Sequence, residues 1–369
     1  MPELKIDRTA KKGRREISVR YRGRGSQVWI YLGKLLRMFL YQNDWKVIPM
    51  SALIAGLVGL VIRRRMFLNM EGTLMGAFAL VCVCVWNGCF NSIQVVCRER
   101  DVIKRQHRSG MHISSYIVSH MIYQALICMM QTGITLYLTK QIGVRYPEQG
   151  LFTPWMIVDI GISMLLITYA SDMLSLFISS IAKSSTTAMT IMPFILIFQL
   201  VFSGGMLTLP PWSEPLTWFT ISNPGLKVVA AQGDVNNRPF VTISNMLVKM
   251  NDSEIKLDMK AGKVLDILEN FDDPQLKEMV ARAKETPELQ ELLEKDIKLE
   301  TTVGKVLQIV GEEEVKGFIE QKAAEASYVA DYENTKENIR GYWMRLVLFI
   351  FAFALMAMIT LEFIDKDKR

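Results

Sequence analysis

The side chains with the widest chemical reach in this 369-residue chain are three histidines, five cysteines and a few polar residues set in apolar surroundings. His107, His112 and His120 crowd one short stretch, and His112 and His120, eight residues apart, fall on one face of any helix that holds both. Imidazoles can bind a metal or carry a proton. A metal site needs further ligands at matching spacing, and no carboxylate cluster accompanies these histidines. Cys82, Cys84, Cys89, Cys97 and Cys128 all lie in hydrophobic stretches. None forms a Cys-x-x-Cys pair, and Cys82 and Cys84 point to opposite sides of a helix, so neither a disulfide framework nor a zinc site is supported. The histidines read as packing, interface or partner-contact residues.

Nucleotide binding is tested by two Gly-Lys pairs. A phosphate-binding loop needs a glycine five residues before such a pair and Ser or Thr directly after it. Gly262-Lys263 and Gly304-Lys305 are each followed by Val, and neither has the earlier glycine. Acid–base or covalent catalysis needs paired acids, or a nucleophile beside a base, and no such constellation is visible. The chain reads as non-catalytic, with no cofactor and no metal of its own.

Polar residues inside apolar stretches are the remaining candidates, because each is costly in lipid. Asn87, Asp159, Asp172 and Gln199 are of this kind. Asp159 sits near the end of its stretch and is expected to reach the headgroups. Asp172 lies deeper, between Tyr169 and Ser175, and must face other helices or a cavity. Three roles stay open for it: lining a pathway, bonding helix to helix, or coupling to protons.

The elements that must position these residues follow from where charge is absent. Hydrophobic residues make up 50% of the chain and charged residues 22%, with a mean hydropathy of +0.19. Charge almost vanishes from 47–62, 73–97, 113–139, 151–182, 184–213 and 346–361. Six crossings are expected, at about 46–62, 73–97, 114–139, 152–182, 186–207 and 344–364. The fourth covers about 31 residues, so it should tilt, bend, protrude or divide into two helices. Gly56, Gly59, Gly72 and Gly76 suit close helix packing. Before the first crossing, 26–43 repeats Val28, Leu32, Leu35, Leu36 and Phe39 at helical spacing, with Lys34 on another face. That pattern fits a helix lying in the membrane interface, or one packed on soluble protein.

Charge sets the expected orientation. Residues 1–46 hold 12 basic and 4 acidic side chains. Beside a membrane span, such an arm reads as held at an anionic inner leaflet, not as nucleic-acid binding. Segments assigned inside carry 21 Lys and Arg, against 5 in the short outside loops 63–72 and 140–150. Both termini are therefore expected in the cytoplasm, although Arg63, Arg64 and Arg65 fit badly.

This parity leaves the long polar segment outside. Residues 208–242 hold Pro210, Pro211, Pro215, Pro224 and Pro239 among Trp212, Trp218 and Phe219, which suits short helices dipping back toward the bilayer. From about 245 the sequence turns charged and helix-forming, with a helix expected at 287–295. Ile255–Leu268 recurs as Ile297–Val310 with eight of fourteen positions identical. Each copy fits a short extended or loop piece ending near Ala261 or Val303, followed by a helix, and the two copies are expected to pack on each other. The fold class is an all-α membrane protein: an interfacial helix, six spans, and a mainly helical extracytoplasmic insertion between spans five and six. The divisions are 1–25 (basic arm), 26–244 (membrane domain), 245–338 (insertion) and 339–369 (last span and tail).

Between spans two and three, residues 98–108 hold seven charges in eleven positions, which cannot enter lipid. Such a stretch suits a short helix with Val102 and Ile103 toward the membrane and Arg98, Arg105 and Arg108 toward a soluble partner. Glu99, Arg100, Val102, Arg105 and Gly110 match the pattern E-R-x-V-F-x-R-E-x-x-x-G-x-Y, with Ile103, Gln106 and His112 as departures. This resembles the helix after span two in ABC-2 type permeases, closest to the G-subfamily and pleiotropic-drug-resistance exporters. Leu200–Pro224 (LVFSGGMLTLPPWSEPLTWFTISNP) resembles the same family's outer signature, with Asn223-Pro224 in place of Ser-Pro. The likeness covers about 26–240 and 340–364 and leaves 245–338 as an insertion.

The resemblance implies a permease subunit of an ATP-driven exporter in a cell membrane, moving an amphipathic peptide, lipid, drug or glycan outward; the polar segment, with no cysteine and one glycosylation signal at Asn251-Asp252-Ser253, suggests a bacterial membrane. The resemblance also implies two cytoplasmic ATPase domains on separate polypeptides, which hold MgATP, and a second permease, either another copy or a sibling. ATPase coupling would fall to Arg98, Glu99, Arg100, Arg105, Arg108 and Gly110. Asn87, Asp172 and Gln199 are the expected pathway residues. The insertion is expected to meet an extracytoplasmic partner. Two readings of other classes stand beside this one: an ion-coupled transporter or channel using Asp172, and a membrane-anchored sensor or assembly protein acting through 245–338.

Overall fold

The structure, a computed structural model, describes residues 23–41, 44–205, 211–238, 254–260, 281, 296–302 and 328–363. The basic arm up to residue 22, the expected helix at 287–295 and most of the insertion lie outside the described residues. The helices are α1 (Arg24–Tyr41), α2 (Val47–Ile62), α3 (Met70–Ser92), α4 (Val95–Arg108), α5 (Ile113–Ile142), α6 (Met156–Ile181) and α7 (Ser185–Val201), then the short α8 (Glu214–Thr217) and α9 (Ser222–Gln232), and α10 (Lys336–Glu362). Two strands, β1 (Glu254–Lys260) and β2 (Asp296–Thr302), lie between α9 and α10 in sequence.

Local signals set the ends. Asn69 caps α3 by accepting the Gly72 N–H at 2.7 Å, and Ser184 caps α7 by accepting the Thr187 N–H at 3.2 Å. Gly143, at φ +105°, ends α5 in the left-handed conformation that a side chain resists. α3 runs into α4 through only Ile93 and Gln94, both with right-handed helical dihedrals, so no long loop separates the apolar helix from the charged one.

Of the six expected crossings, four are matched by helices long and apolar enough to span: the α3–α4 run, α5, α6 and α10. α2 and α7 have 16 and 17 residues, about 24–26 Å of helix against a hydrocarbon core of roughly 30 Å. The fourth crossing is one 26-residue helix, not two. Its expected surplus forms irregular chain before Met156.

α6 is the central post, packed on α3, α5, α9 and α10, with α2 against α5 and α3 and with α1 against α5. α3 and α6 approach closely at Gly88, where an added Cβ would lie 2.8 Å from Ser171 Cβ and 2.9 Å from the Asp172 N. Of the glycines singled out in sequence, Gly59 does pack closely on α5 at Ile142 and Thr139, Gly72 and Gly76 meet the turn before α3 at Arg65, Asn69 and Met66, and Gly56 has open space where a Cβ would lie. α10 buries Ile339, Leu346, Ile350, Ala354 and Leu361, while Met344, Leu348, Phe351, Leu355 and Ile359 stay exposed on its other side. Such an apolar outer stripe is what lipid requires and water penalises.

Residues 211–238 form the short helices expected there. Trp212, Trp218 and Phe219 around α8 are exposed, whereas α9 is buried among α3, α6 and α10. The insertion departs from a mainly helical expectation in its described parts. β1 and β2 pair antiparallel with Leu257 opposite Leu299, Lys256 opposite Glu300 and Asp258 opposite Lys298. Leu257 and Leu299 are the third residues of the two repeat copies, so the described strands of the two copies pair about that position. The insertion leaves and returns at one point: Asn236 Nδ2 donates to the Val329 carbonyl at 2.9 Å and the Val329 N–H donates back to Asn236 Oδ1 at 3.3 Å.

Candidate functional site

α4 carries the densest charge in the described chain, and its faces divide that charge. Arg98, Asp101, Arg105 and Arg108 are exposed. Their spacing of three, four and three residues places them on one helical stripe. Val96, Cys97 and Ile103 are buried opposite. Glu99 and Arg100, both from the family motif, turn inward instead. Arg100 Nη1 donates to the Ser180 carbonyl at 2.9 Å and the Ala182 carbonyl at 3.0 Å, at the end of α6. Ser179 Oγ accepts the N–H groups of Val96 and Cys97 at 3.1 and 3.2 Å. The start of α4 is thus bolted to the last turn of α6.

α1 is fastened to the other flank. Lys34 Nζ lies 3.2 Å from Glu99 Oε2, and Tyr31 donates to Gln106 Oε1 at 3.3 Å. Burial, and then the Glu99 charge, push the Tyr31 hydroxyl above its usual range, which keeps it a donor. Gln27 holds the turn after α4 from both sides: its Nε2 donates to the Gly110 carbonyl at 3.2 Å and its Oε1 accepts the His112 N–H at 3.0 Å. Gly110 itself needs φ +100°, a conformation suited to glycine. Leu32 and Leu35 of α1 are buried against Tyr123 and Ile127 of α5, itself one of the long apolar helices. Trp29, Ile30, Leu36 and Leu40 remain exposed on the others. α1, α4 and the turn at 183–184 share one end of the bundle, and the stems of the insertion lie at the other, beside the start of α6.

The three expected pathway residues are not brought together. Asn87 donates to Ser51 Oγ of α2 at 3.0 Å. Gln199 Oε1 accepts the N–H groups of Ile221 and Ser222 at 2.8 and 3.2 Å, which caps the start of α9. Asp172 is fully buried on α6 and accepts from Cys128 Sγ at 3.5 Å. Asp159 does not reach outward. It is buried, with its carboxylate accepting the N–H groups of Phe152 and Thr153 at 2.9 and 3.1 Å.

What sequence reading missed is a polar stripe on α5. Tyr116, His120, Gln124, Cys128, Gln131, Thr135 and Thr139 recur every three or four residues, and all are buried. The spacing was available as a signal, but only the fold shows its neighbours. Gln131 exchanges two hydrogen bonds with Asn91 of α3, at 2.9 and 3.0 Å, and Gln124 Nε2 donates to Ser92 Oγ at 2.7 Å. Asp172 closes the far side through Cys128. The histidines separate: His112 caps the start of α5 by position and is exposed, while His120 is buried against Tyr116 with ring centroids 4.5 Å apart. Among the described residues no group of three or more His, Cys, Asp or Glu side chains is placed to hold a metal ion.

Comparison with known proteins agrees with this architecture. The family model described as ABC-2 type transporter matches residues 13–228, more than half of the chain. The chain is also 28% identical over 159 residues to the ABC transporter ATP-binding/permease protein Rv1747 of Mycobacterium tuberculosis, a match covering 41% of this chain and 18% of that relative. The chain thus corresponds to under one fifth of that protein's length. On the extent of the family match, and with an apolar helical bundle that carries a charged helix directly after its first long span, the chain belongs to the ABC-2 type transporter family.

Proposed function

We propose that the chain is the non-catalytic permease subunit of an ATP-driven exporter, coupled to a separate cytoplasmic ATPase through the outer stripe of α4. The observation that carries this reading is the division of α4: Arg98, Asp101, Arg105 and Arg108 lie outward, while Glu99 and Arg100 tie the same helix to α1 and α6. A push on the stripe is transmitted to both neighbours, because neither contact can lag without breaking buried or half-buried polar bonds. MgATP belongs to the partner. A second permease, another copy or a sibling, completes the assembly, with six crossings and both termini on the ATPase side. The cargo is an amphipathic molecule leaving the cytoplasm or the inner leaflet. The printed name of the mycobacterial relative joins ATP-binding and permease functions in one protein, which favours an ATPase as this chain's partner.

The test is co-purification and vanadate-sensitive ATPase activity of the chain with a soluble ABC ATPase, in nanodiscs. Arg105→Glu is expected to abolish association while the permease keeps its elution volume and melting temperature. Association that survives charge reversal at both Arg105 and Arg98 would remove α4 as the coupling surface.

A further inference from the structure

Arg63, Arg64 and Arg65 fit the expected orientation worst, and ATPase coupling gives them no part. They lie in the turn between α2 and α3, at the end of the bundle that carries the stems of the insertion. An added Cβ on Gly233, shortly before the insertion, would lie 2.7 Å from Thr73 Cγ2 in the first turn of α3. The arginine turn has a fixed backbone. Phe67 takes φ 65°, a costly conformation for a bulky side chain. Burial holds it there, together with the bond from its N–H to Thr73 Oγ1 at 3.0 Å. Its ring centroid lies 5.4 Å from that of Tyr146, which joins this turn to the chain leaving α5. The last turn of α5 and the residues after it carry Lys140 and Arg145. All five cations are exposed, and among the described residues none of them makes an ion pair. Residues 63–69 and 140–148 together contain one acid, Glu148.

Depth and apolar surroundings select the partner. α2 has 16 residues, about 24 Å of helix against a hydrocarbon core of roughly 30 Å. A crossing this short keeps its flanking arginines at or below the headgroups, toward which their aliphatic stems extend. Leu53, Leu57, Leu60 and Val61 form an exposed stripe along α2 that leads to the arginines, and Leu68 is exposed within the turn itself. A soluble acidic partner leaves that apolar surface uncovered, whereas a lipid meets both parts. Guanidinium groups pair bidentately with phosphate, and each cation near the membrane surface attracts anionic headgroups. We propose that the paired turns after α2 and α5 bind an anionic phospholipid of the leaflet at this end, the three arginines taking its phosphate and the α2 stripe its acyl chains. Lys140 and Arg145 add the charge that favours a net-negative headgroup over a zwitterionic one. The site rests on α2 crossing the bilayer, as proposed above, and is independent of the ATPase partner.

The probe is phosphatidylglycerol with a diazirine on its acyl chain, photolysed with the full chain in nanodiscs of equimolar phosphatidylglycerol and phosphatidylcholine. Phosphatidylcholine carrying the same diazirine is the comparison. Phosphatidylglycerol is expected to label peptides covering 57–68 about fivefold more than phosphatidylcholine. Arg63→Gln, Arg64→Gln and Arg65→Gln together bring that ratio close to one, while the ratio on α1 and α4 peptides is unchanged. Lys140→Gln with Arg145→Gln leaves the arginine turn intact and is expected to lower the ratio about twofold, which keeps the test decisive if the triple variant fails to fold. Equal labelling of 57–68 by the two lipids in the wild type overturns the site, and so does a ratio that persists in the triple variant. Labelling of 57–68 by neither lipid puts α2 outside the bilayer and overturns the crossing together with the site. Soluble polyglutamate that shields these arginines from phenylglyoxal, with no preference for phosphatidylglycerol, overturns the lipid and assigns the turn to an acidic protein.

Discussion

Arg100 and Ser180 are joined by a hydrogen bond of 2.9 Å from a guanidinium nitrogen to a main-chain carbonyl. That carbonyl belongs to the last turn of α6, where no intrahelical donor exists, and a cation there also meets the negative end of the helix dipole. A motif arginine that reads in sequence as a contact for a soluble partner is therefore committed to holding two helices together. Asp172 lies on the same α6, so α4, α6 and the buried polar stripe of α5 form one connected set of contacts.

Arg100→Ala is expected to lower stability by about 2–3 kcal/mol through loss of charge-assisted bonds to two carbonyls. Arg105→Ala, on the exposed stripe, is expected to stay within about 0.5 kcal/mol of wild type. Thermal unfolding in nanodiscs distinguishes them. Similar melting temperatures for the two variants would mean that Arg100 holds nothing in solution.

Gln199 acts through its acceptor on α9. Gln199→Leu leaves the N–H groups of Ile221 and Ser222 without that oxygen, at a cost of about 1–3 kcal/mol. Hydrogen exchange across 221–232 is expected to accelerate, while exchange in α4 is unchanged. Exchange as slow as wild type throughout α9 would show that another group caps the helix.

Gly88 marks a helix crossing that tolerates no side chain. Gly88→Ala is expected to force α3 from α6, with a loss of about 1–3 kcal/mol or more from overpacking. Gly56→Ala, with open space around it, is expected to be neutral or slightly stabilising. Melting temperatures of the pair make the comparison, and an equal response would place the α3–α6 contact elsewhere.

The insertion is expected to be separable from the bundle. Asn236 and Val329 hold its stems together by two hydrogen bonds, and the Lys227–Asp331 ion pair at 2.7 Å fastens the returning chain to α9. Replacing residues 239–327 by a short Gly-Ser linker should leave a monodisperse protein melting within a few degrees of wild type, because loop closure is already arranged by the stems. Aggregation of this variant would assign the insertion a part in the membrane fold.

Much of the architecture is legible one stretch at a time. Runs without charge mark α2, α3, α5, α6, α7 and α10, because lipid admits few charges. The dense charge of 98–108 marks α4 for the same reason, and the extended starts expected in the two repeat copies correspond to β1 and β2. These are local properties, and solvent alone sorts them.

Which face of each helix meets which neighbour is not local. A span apolar on all sides has little periodic signal to tell lipid from protein, so Asn87, Asp172 and Gln199 looked alike in sequence. Their partners lie 36, 44 and 22 residues away. Only the packing of helices far apart in sequence decides that Gln199 of α7 caps α9, that Asp172 of α6 faces Cys128 of α5, and that His120 is sealed beneath α1 and α4.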